Sequence, residues 1–174
     1  MSDTHHFFEI VINHNTYSDN RDLKNLCSKV AEKALVIGLS KNNDLSGIPY
    51  PAEANILLTD DEFIKALNFK YRGMNSATNV LSFAAIDGKD SKSISEEAEI
   101  FSTLILGDII ISLDTIEKEA QEFLITFEDR LAHIIIHGVL HLVGFDHQND
   151  DEANVMEKLE ASILAEMGFA NPYN

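Results

Sequence analysis

The stretch Leu131–His147, LAHIIIHGVLHLVGFDH, is apolar except for its histidines and one aspartate. A helix that is apolar on nearly all sides is typical of the interior of a domain. His133, His137 and His141 are four residues apart, so each is rotated by about 40° from the one before and the three form one stripe. Because an unpaired buried polar group is costly, each histidine of this stripe needs a partner in the fold.

A metal ion would be such a partner for His137 and His141. Imidazoles four residues apart on a helix can both reach a zinc ion, and Gly144 can take the left-handed conformation that ends a helix and returns His147 as a third ligand. Three protein ligands leave a fourth position for water, which is typical of catalytic zinc. The alternative, histidines without a metal, is disfavoured by the triple spacing together with the glycine.

The spacing H-x3-H-x5-H with a glycine at the turn is that of the zinc site in metzincin peptidases. Those peptidases carry a catalytic glutamate directly after the first histidine, where this chain has Gly138. The metal site is therefore kept while the usual proteolytic base is absent. A metallopeptidase with its base elsewhere remains an alternative.

The other polar residues near the stripe have open roles. His133 is expected to support a ligand or to face solvent, since three ligands are already assigned. Asp146 either orients a ligand imidazole, as carboxylates do around zinc, or caps the following helix. His5, His6 and His14 are expected to be exposed near the N-terminus.

Composition predicts one domain over residues 1–174, since the chain is 45% hydrophobic and 24% charged and is long enough for a sizeable core. Its sequence has neither an apolar run of membrane-spanning length nor a basic region followed by an apolar leader. The single Cys27 falls in apolar helical register, which indicates core packing in a reducing compartment. A cytoplasmic location is therefore expected.

The net charge of the chain disfavours polyanionic partners. The 13 Lys and Arg residues against 29 Asp and Glu residues give −16, whereas proteins that coat nucleic acid or anionic lipid normally carry the opposite sign. A phosphate backbone would therefore have to be held by a metal ion or by a few placed cations. The only arginines are Arg21, Arg72 and Arg130, so the position of each one is informative.

Hydrophobic patterns predict nine elements in the order β-α-β-α-β-β-α-α-α, which indicates an α+β domain with a four-stranded mixed sheet and a helical layer. Gly38 is expected to end the first helix and Gly73 the second. The polar segment 87–99 is expected to form the mobile tip of a long hairpin. The last helix is expected to bury a face that carries Val155, Leu159, Ile163 and Leu164.

Three blocks of the chain resemble the YbeY family of bacterial zinc-dependent endoribonucleases. They are HGVLHLVGFDH at 137–147, LNFKYRGMNSATNVLSF at 67–83 and LGDIIIS at 106–112, and they occur in the family order. The first block is highly specific, the second is moderately so and the third is weak alone. Together with the predicted elements, the resemblance covers most of the chain.

The resemblance implies an α+β fold with zinc at the base of a cleft, one ion per chain, bound by His137, His141 and His147. It implies Arg72 as the functional arginine. It also implies an endoribonuclease that acts on single-stranded RNA, in the maturation of ribosomal RNA ends and in ribosome quality control.

Residue chemistry agrees with a phosphate-binding role for Arg72, whose fork before Gly73 could hold a phosphate through two hydrogen bonds. The alternative is a surface arginine that is favourable at a helix C-terminus. Ser82 is a further candidate for the cleft, although a plain strand position is the alternative. Lys65 and Lys70 on the same helix are expected to be solvated.

Four positions depart from the family pattern. Ala77 and Ala84 stand where proline is expected, Phe145 where tyrosine is common and Asn79 where aspartate is often found. None of these departures removes a metal ligand. A mechanism that used a hydroxyl at 145 or a base at 79 would not operate in this chain.

The resulting hypothesis is metal-assisted cleavage of an RNA phosphodiester, in which Arg72 neutralises charge that develops on the phosphate. The acidic composition suggests that the ribosome or a ribosome-associated protein presents the substrate, and no membrane partner is expected. Besides the metallopeptidase, the remaining alternative is a non-catalytic, zinc-stabilised module that binds the ribosome.

Overall fold

Four strands form a mixed sheet in the computed structural model, which describes residues 6–18 and 20–173. The strands are β1 (Phe7–Ile12), β2 (Ala52–Thr59), β3 (Val80–Ala84) and β4 (Leu104–Ser112). Their spatial order is β1-β2-β4-β3. The first three strands of this order run parallel, and β3 pairs antiparallel with β4 at the opposite edge. The predicted four-stranded mixed sheet is confirmed.

Helices pack around α5, the helix of the histidine stripe. The helices are α1 (Arg21–Lys41), α2 (Asp61–Arg72), α3 (Ser91–Phe101), α4 (Leu113–Glu122), α5 (Phe127–Leu142) and α6 (Asp150–Met167). Helix α5 contacts α1, α4 and α6 as well as β3 and β4, so its apolar residues are buried on nearly all sides, as its sequence predicts. No helix in the described ranges has the length and apolarity needed to cross a membrane.

Gly38 does not end α1, and the prediction that it would was wrong. The helix continues to Lys41. A Cβ atom on Gly38 would lie only 2.8 Å from Cγ2 of Val143 and 3.2 Å from Cδ2 of Leu140. The glycine therefore serves the close approach of α1 to α5, a tertiary requirement that looks like a stop signal in the sequence.

The segment 87–99 is not a mobile hairpin tip, because most of it belongs to α3. Asp90 caps this helix by accepting a hydrogen bond of 2.8 Å from the backbone N–H of Ser93. Ile94 and Ala98, one turn apart, are buried against the core. Two buried residues in a polar segment are enough to dock a short helix but give too weak a pattern to predict one.

The buried face of α6 also differs from the prediction. Val155 is 57% exposed, and the buried residues are Met156, Glu160, Ile163 and Leu164. Leu159 is only partly buried at the rim. The prediction placed the buried face incorrectly because the true stripe contains a charged residue, Glu160, which contacts the histidines of α5.

Candidate metal centre and cleft

Three histidine side chains meet at the C-terminal end of α5. His137 and His141 lie one turn apart on the helix, and Gly144 has the expected left-handed conformation (φ 91°) that turns the chain back. One ring nitrogen each of His137, His141 and His147 lies within 4.8 Å of the other two, a group that could hold a metal ion. The predicted turn geometry thus brings together the three residues predicted to bind metal.

The distances suit a small cation. Nε2 of His137 and Nε2 of His141 are 3.1 Å apart, and two nitrogen ligands of a tetrahedral zinc ion are separated by roughly 3.3 Å at the usual zinc–nitrogen distance. The ring centroids of His141 and His147 are 4.9 Å apart. Burial, followed by the charges of His137 and His147, lowers the pKa of His141 to about 4. His141 is therefore neutral near pH 7 and has a lone pair to offer.

Glu160 of α6 holds His137 in position. Its side chain is 1% exposed, and its Oε1 accepts a hydrogen bond of 2.7 Å from Nδ1 of His137. Burial alone would raise the pKa of Glu160, but hydrogen bonds from His133, His137 and Tyr173 outweigh it and lower the pKa to about 2. Because Nδ1 of His137 donates its proton in a hydrogen bond to this carboxylate, the lone pair lies on Nε2 and faces the other histidines, as expected for a metal ligand.

His133 supports Glu160 and is not part of the metal-binding group. The guanidinium of Arg130 can only donate, so Nδ1 of His133, 2.9 Å from Arg130 Nη1, must be the acceptor. The proton of His133 is therefore on Nε2, which donates to Oε2 of Glu160 at 3.1 Å. The hydroxyl of Tyr173 donates to the same oxygen. Of the two expectations for His133, support of a ligand matches its contacts.

The polar network continues to the opposite side of the cleft. Arg130 Nε donates to Oε2 of Glu119 at 2.8 Å, and Nδ2 of Asn79 donates to Oε1 of Glu119 at 3.2 Å. We call the hydrogen-bonded chain Asn79, Glu119, Arg130, His133 and Glu160 the supporting network. Asn79, which stands where the family often has aspartate, acts here as a donor to a carboxylate.

Among the described residues, Asp146 neither hydrogen-bonds a ligand imidazole nor caps the following helix. Its Oδ1 accepts from the backbone N–H of His147 at 2.8 Å and its Oδ2 from Nε2 of Gln148 at 2.7 Å. Asn149, not Asp146, caps α6. The carboxylate thus shapes the turn that carries His147.

The N-terminal histidines are less exposed than predicted. The side chain of His14 is 10% exposed and its Nε2 donates to Oδ1 of Asp114 at 3.0 Å. Nδ1 of His6 accepts from the backbone N–H of Ala52 at 3.1 Å, so His6 is half-buried beside the sheet. His5 lies outside the described residues.

A cleft of about 420 Å³ joins the histidines to β3 and to the end of α2. Its lining residues include Arg72, Thr78, Asn79, Val80, Ser82, Ala84, Asp87, His137, His141, Gly144, Phe145, Asp146 and His147. Arg72 is the last residue of α2, which Gly73 ends in a left-handed conformation (φ 71°) as predicted. Its exposed guanidinium makes no hydrogen bond or ion pair to any described residue.

Ser82 lies between the cleft and α5. Its Oγ is buried and has no hydrogen-bond partner in the described part of the chain. A Cβ on Gly138 would lie 3.3 Å from this Oγ and 2.9 Å from Cγ2 of Ile109. The position that holds the catalytic glutamate in metzincin peptidases is therefore packed against the sheet, and a long side chain does not fit there.

Comparison with known proteins places this geometry in a family. The sequence model described as Endoribonuclease YbeY matches residues 12–168. The chain belongs to this family. The Endoribonuclease YbeY of Rhizobium leguminosarum bv. trifolii is 39% identical over 152 residues, which cover 87% of this chain and 83% of that protein. The Endoribonuclease YbeY of Rhizobium meliloti is 38% identical over 155 residues, with coverage of 87% and 85%.

A solved structure shows the same fold as this YbeY-family chain. The solution structure of TM1509 from Thermotoga maritima has a TM-score of 0.54 to it at 22% sequence identity. The likeness covers 97% of this chain and 99% of that chain. The family resemblance seen in the sequence is thus confirmed, and the architecture agrees with it.

Proposed function

We propose that this chain is a zinc-dependent endoribonuclease that cleaves single-stranded RNA and acts in ribosomal RNA maturation and ribosome quality control. The observation that carries the proposal is that one cleft contains both the converging nitrogens of His137, His141 and His147 and the guanidinium of Arg72, which pairs with no described residue. The endoribonuclease names of its relatives support the reaction class.

The residues on the α5 side hold the ion. His137, His141 and His147 would bind it, and Glu160 keeps His137 in the tautomer that presents Nε2. When bound, a zinc ion supplies Lewis acidity that polarises a phosphoryl oxygen.

The residues on the opposite side hold the substrate. Arg72 would bind the scissile phosphate through its fork and neutralise the charge that builds up during cleavage. The hydroxyl of Ser82, which has no hydrogen-bond partner among the described residues, would donate to the same group. These two side chains would fix the phosphate next to the histidine cluster.

The net negative charge of the chain agrees with a substrate that a partner presents to the cleft, since the protein as a whole repels RNA. The net charge is −16, and long-range steering of RNA by the protein itself would be unfavourable. Presentation by the ribosome or by a ribosome-associated protein, in the cytoplasm, is part of the proposal. Binding of bare RNA that does not depend on salt would argue against it.

The metallopeptidase alternative has less support. Its base cannot be at 138, where there is no room, and both carboxylate oxygens of Asp146 are already engaged by the turn. The non-catalytic module does not explain why Arg72, which pairs with nothing in the described part of the chain, lines the same cleft as the histidines. Absence of casein cleavage would remove the peptidase.

The decisive experiment is cleavage of a labelled single-stranded RNA by the purified chain, beside His137→Ala prepared identically to exclude contaminating nucleases. We expect cleavage by the wild type alone, its loss with a chelator and its return with zinc. No cleavage by zinc-loaded wild type, with the ion confirmed by elemental analysis, would contradict the proposal and favour the binding module.

A further inference from the structure

A second pocket lies on the other face of β3 from the cleft. It has a volume of about 490 Å³ and is formed by α2 and the sheet, with Tyr71 and Phe83 in its lining. Tyr71 and Phe83 line this second pocket, whereas their sequence neighbours Arg72 and Ser82 line the cleft. Successive side chains of a strand point to opposite faces. The two pockets are thus separated only by the edge strand and the last turn of α2.

Tyr71 gives the second pocket an exposed aromatic ring. Tyr71 is 57% exposed, and its ring meets that of Phe83 edge-on at a centroid distance of 5.2 Å. Nζ of Lys70 lies 5.0 Å from the centroid of the Tyr71 ring. An exposed aromatic ring beside a cation is the combination that single-stranded RNA binds, through base stacking on the ring and phosphate contact with the cation.

Charge on the last turn of α2 favours a polyanion. This turn carries Lys70 and Arg72 and no acidic residue, because Asp61 and Glu62 lie in the first turn. Neither cation forms an ion pair with a described residue. In a chain of net charge −16, this unopposed pair of cations next to the cleft is a local exception that suits an RNA backbone.

The polar edge of the second pocket suits one type of base. Nδ2 of Asn55 donates to Oδ1 of Asp108 at 2.8 Å, and both residues line the pocket. This leaves the Asp108 carboxylate as an acceptor beside the second N–H of the Asn55 amide. Guanine offers two adjacent donors, N1–H and the N2 amino group, next to its O6 acceptor. Uracil has one N–H between two carbonyl oxygens, which a carboxylate would repel.

We propose that the second pocket binds a guanine base of the RNA strand whose phosphate lies against Arg72. The base stacks on the exposed ring of Tyr71 and donates to Asp108, while the backbone passes the end of α2 into the cleft. The inference rests on the proposed function and adds to it a base preference next to the cleavage site.

The test compares RNA binding by zinc-loaded wild type, Tyr71→Ala and Phe69→Ala. Phe69 is a matched control, because it is 60% exposed on the same helix and lines neither pocket. The probe is a short fluorescent oligouridylate that contains one guanine, and the readout is anisotropy. We expect Tyr71→Ala to bind at least about five-fold more weakly, the effect of losing one stacked base, and Phe69→Ala to bind as the wild type does.

A second arm tests the base. Asp108→Asn should remove the preference for the guanine-containing oligouridylate over plain oligouridylate, with the bound zinc unchanged. If Tyr71→Ala binds and cleaves RNA as the wild type does, the second pocket is not a base site and the proposal is overturned. If the wild type with bound zinc neither binds nor cleaves RNA, the proposed function fails as well, so the two failures are distinguishable.

Discussion

The two walls of the cleft are built in opposite ways. On the α5 wall, His137 is fixed through Glu160 to His133 and Arg130, and each of these groups has a hydrogen-bond partner. On the β3 wall, Ser82 Oγ is buried and has no hydrogen-bond partner among the described residues, at a cost of about 1–3 kcal/mol, and the exposed guanidinium of Arg72 pairs with none of them either. One wall is therefore preorganised for an ion, whereas Ser82 and Arg72 on the other wall are left for a substrate.

The largest effect is expected from His141→Ala, which removes one of the three converging nitrogens from the α5 wall. We expect zinc affinity to fall by more than about 100-fold, the upper end of what loss of a supporting residue costs, and cleavage to disappear. Competition with a chromophoric chelator measures the affinity. His6→Ala, outside the cleft, should leave it unchanged, and retention of tight zinc binding by His141→Ala would remove His141 from the site.

Arg72→Ala tests the β3 wall, on which Arg72 is proposed to bind the scissile phosphate. We expect turnover to fall by about 100-fold or more, the usual cost of losing a group that stabilises charge in the transition state, while zinc affinity stays the same. Arg72→Lys should recover only part of the loss, because an ammonium lacks the planar fork. Lys65→Ala on the same helix is the control, and equal turnover of Arg72→Ala and wild type would exclude Arg72 from the mechanism.

Glu160→Gln tests whether metal binding at the α5 wall depends on the supporting network. The amide keeps the shape of the side chain but removes the negative charge that accepts the hydrogen bond from Nδ1–H of His137. We expect zinc affinity to fall by about 10- to 100-fold. Glu157→Gln, at an exposed position of the same helix, should bind zinc as the wild type does. Unchanged affinity in Glu160→Gln would mean that the histidines hold the ion without this support.

The smallest effect is expected from Ser82→Ala. Removal of a buried hydroxyl without a partner should raise the free energy of unfolding by about 1 kcal/mol, as measured by urea denaturation, whereas turnover should fall. A lower free energy of unfolding would show that the hydroxyl is satisfied in the folded chain, and the contrast between the two walls would then be weaker.

The histidine cluster could be predicted because its information is local. The positions of His137 and His141 on one helix and of His147 after Gly144 follow from helical periodicity and one turn conformation. The order of strands and helices follows in the same way from hydrophobic patterns. Only the short helix α3 was missed, since two buried residues do not make a periodic signal.

The supporting network could not be predicted because its members come from separate parts of the chain. Glu119 lies on α4, Arg130 and His133 on α5 and Glu160 on α6, so their contacts exist only after the helices pack. One local signal was present, since Glu160 falls in the stripe of Met156, Ile163 and Leu164. A lone glutamate in an otherwise apolar stripe indicates a buried partner, and the histidines of α5 were the available candidates.

The position of Glu160 also links the ion to the mobility of the C-terminal part of the chain. Besides the apolar packing of α6, the Glu160 carboxylate joins this helix and Tyr173 to His137 of α5. An ion held by His137 favours the tautomer that donates to Glu160, so occupancy of the centre strengthens the attachment of the last helix. The metal-free chain should therefore open first at α6, and its amide hydrogens should exchange more slowly once zinc is added.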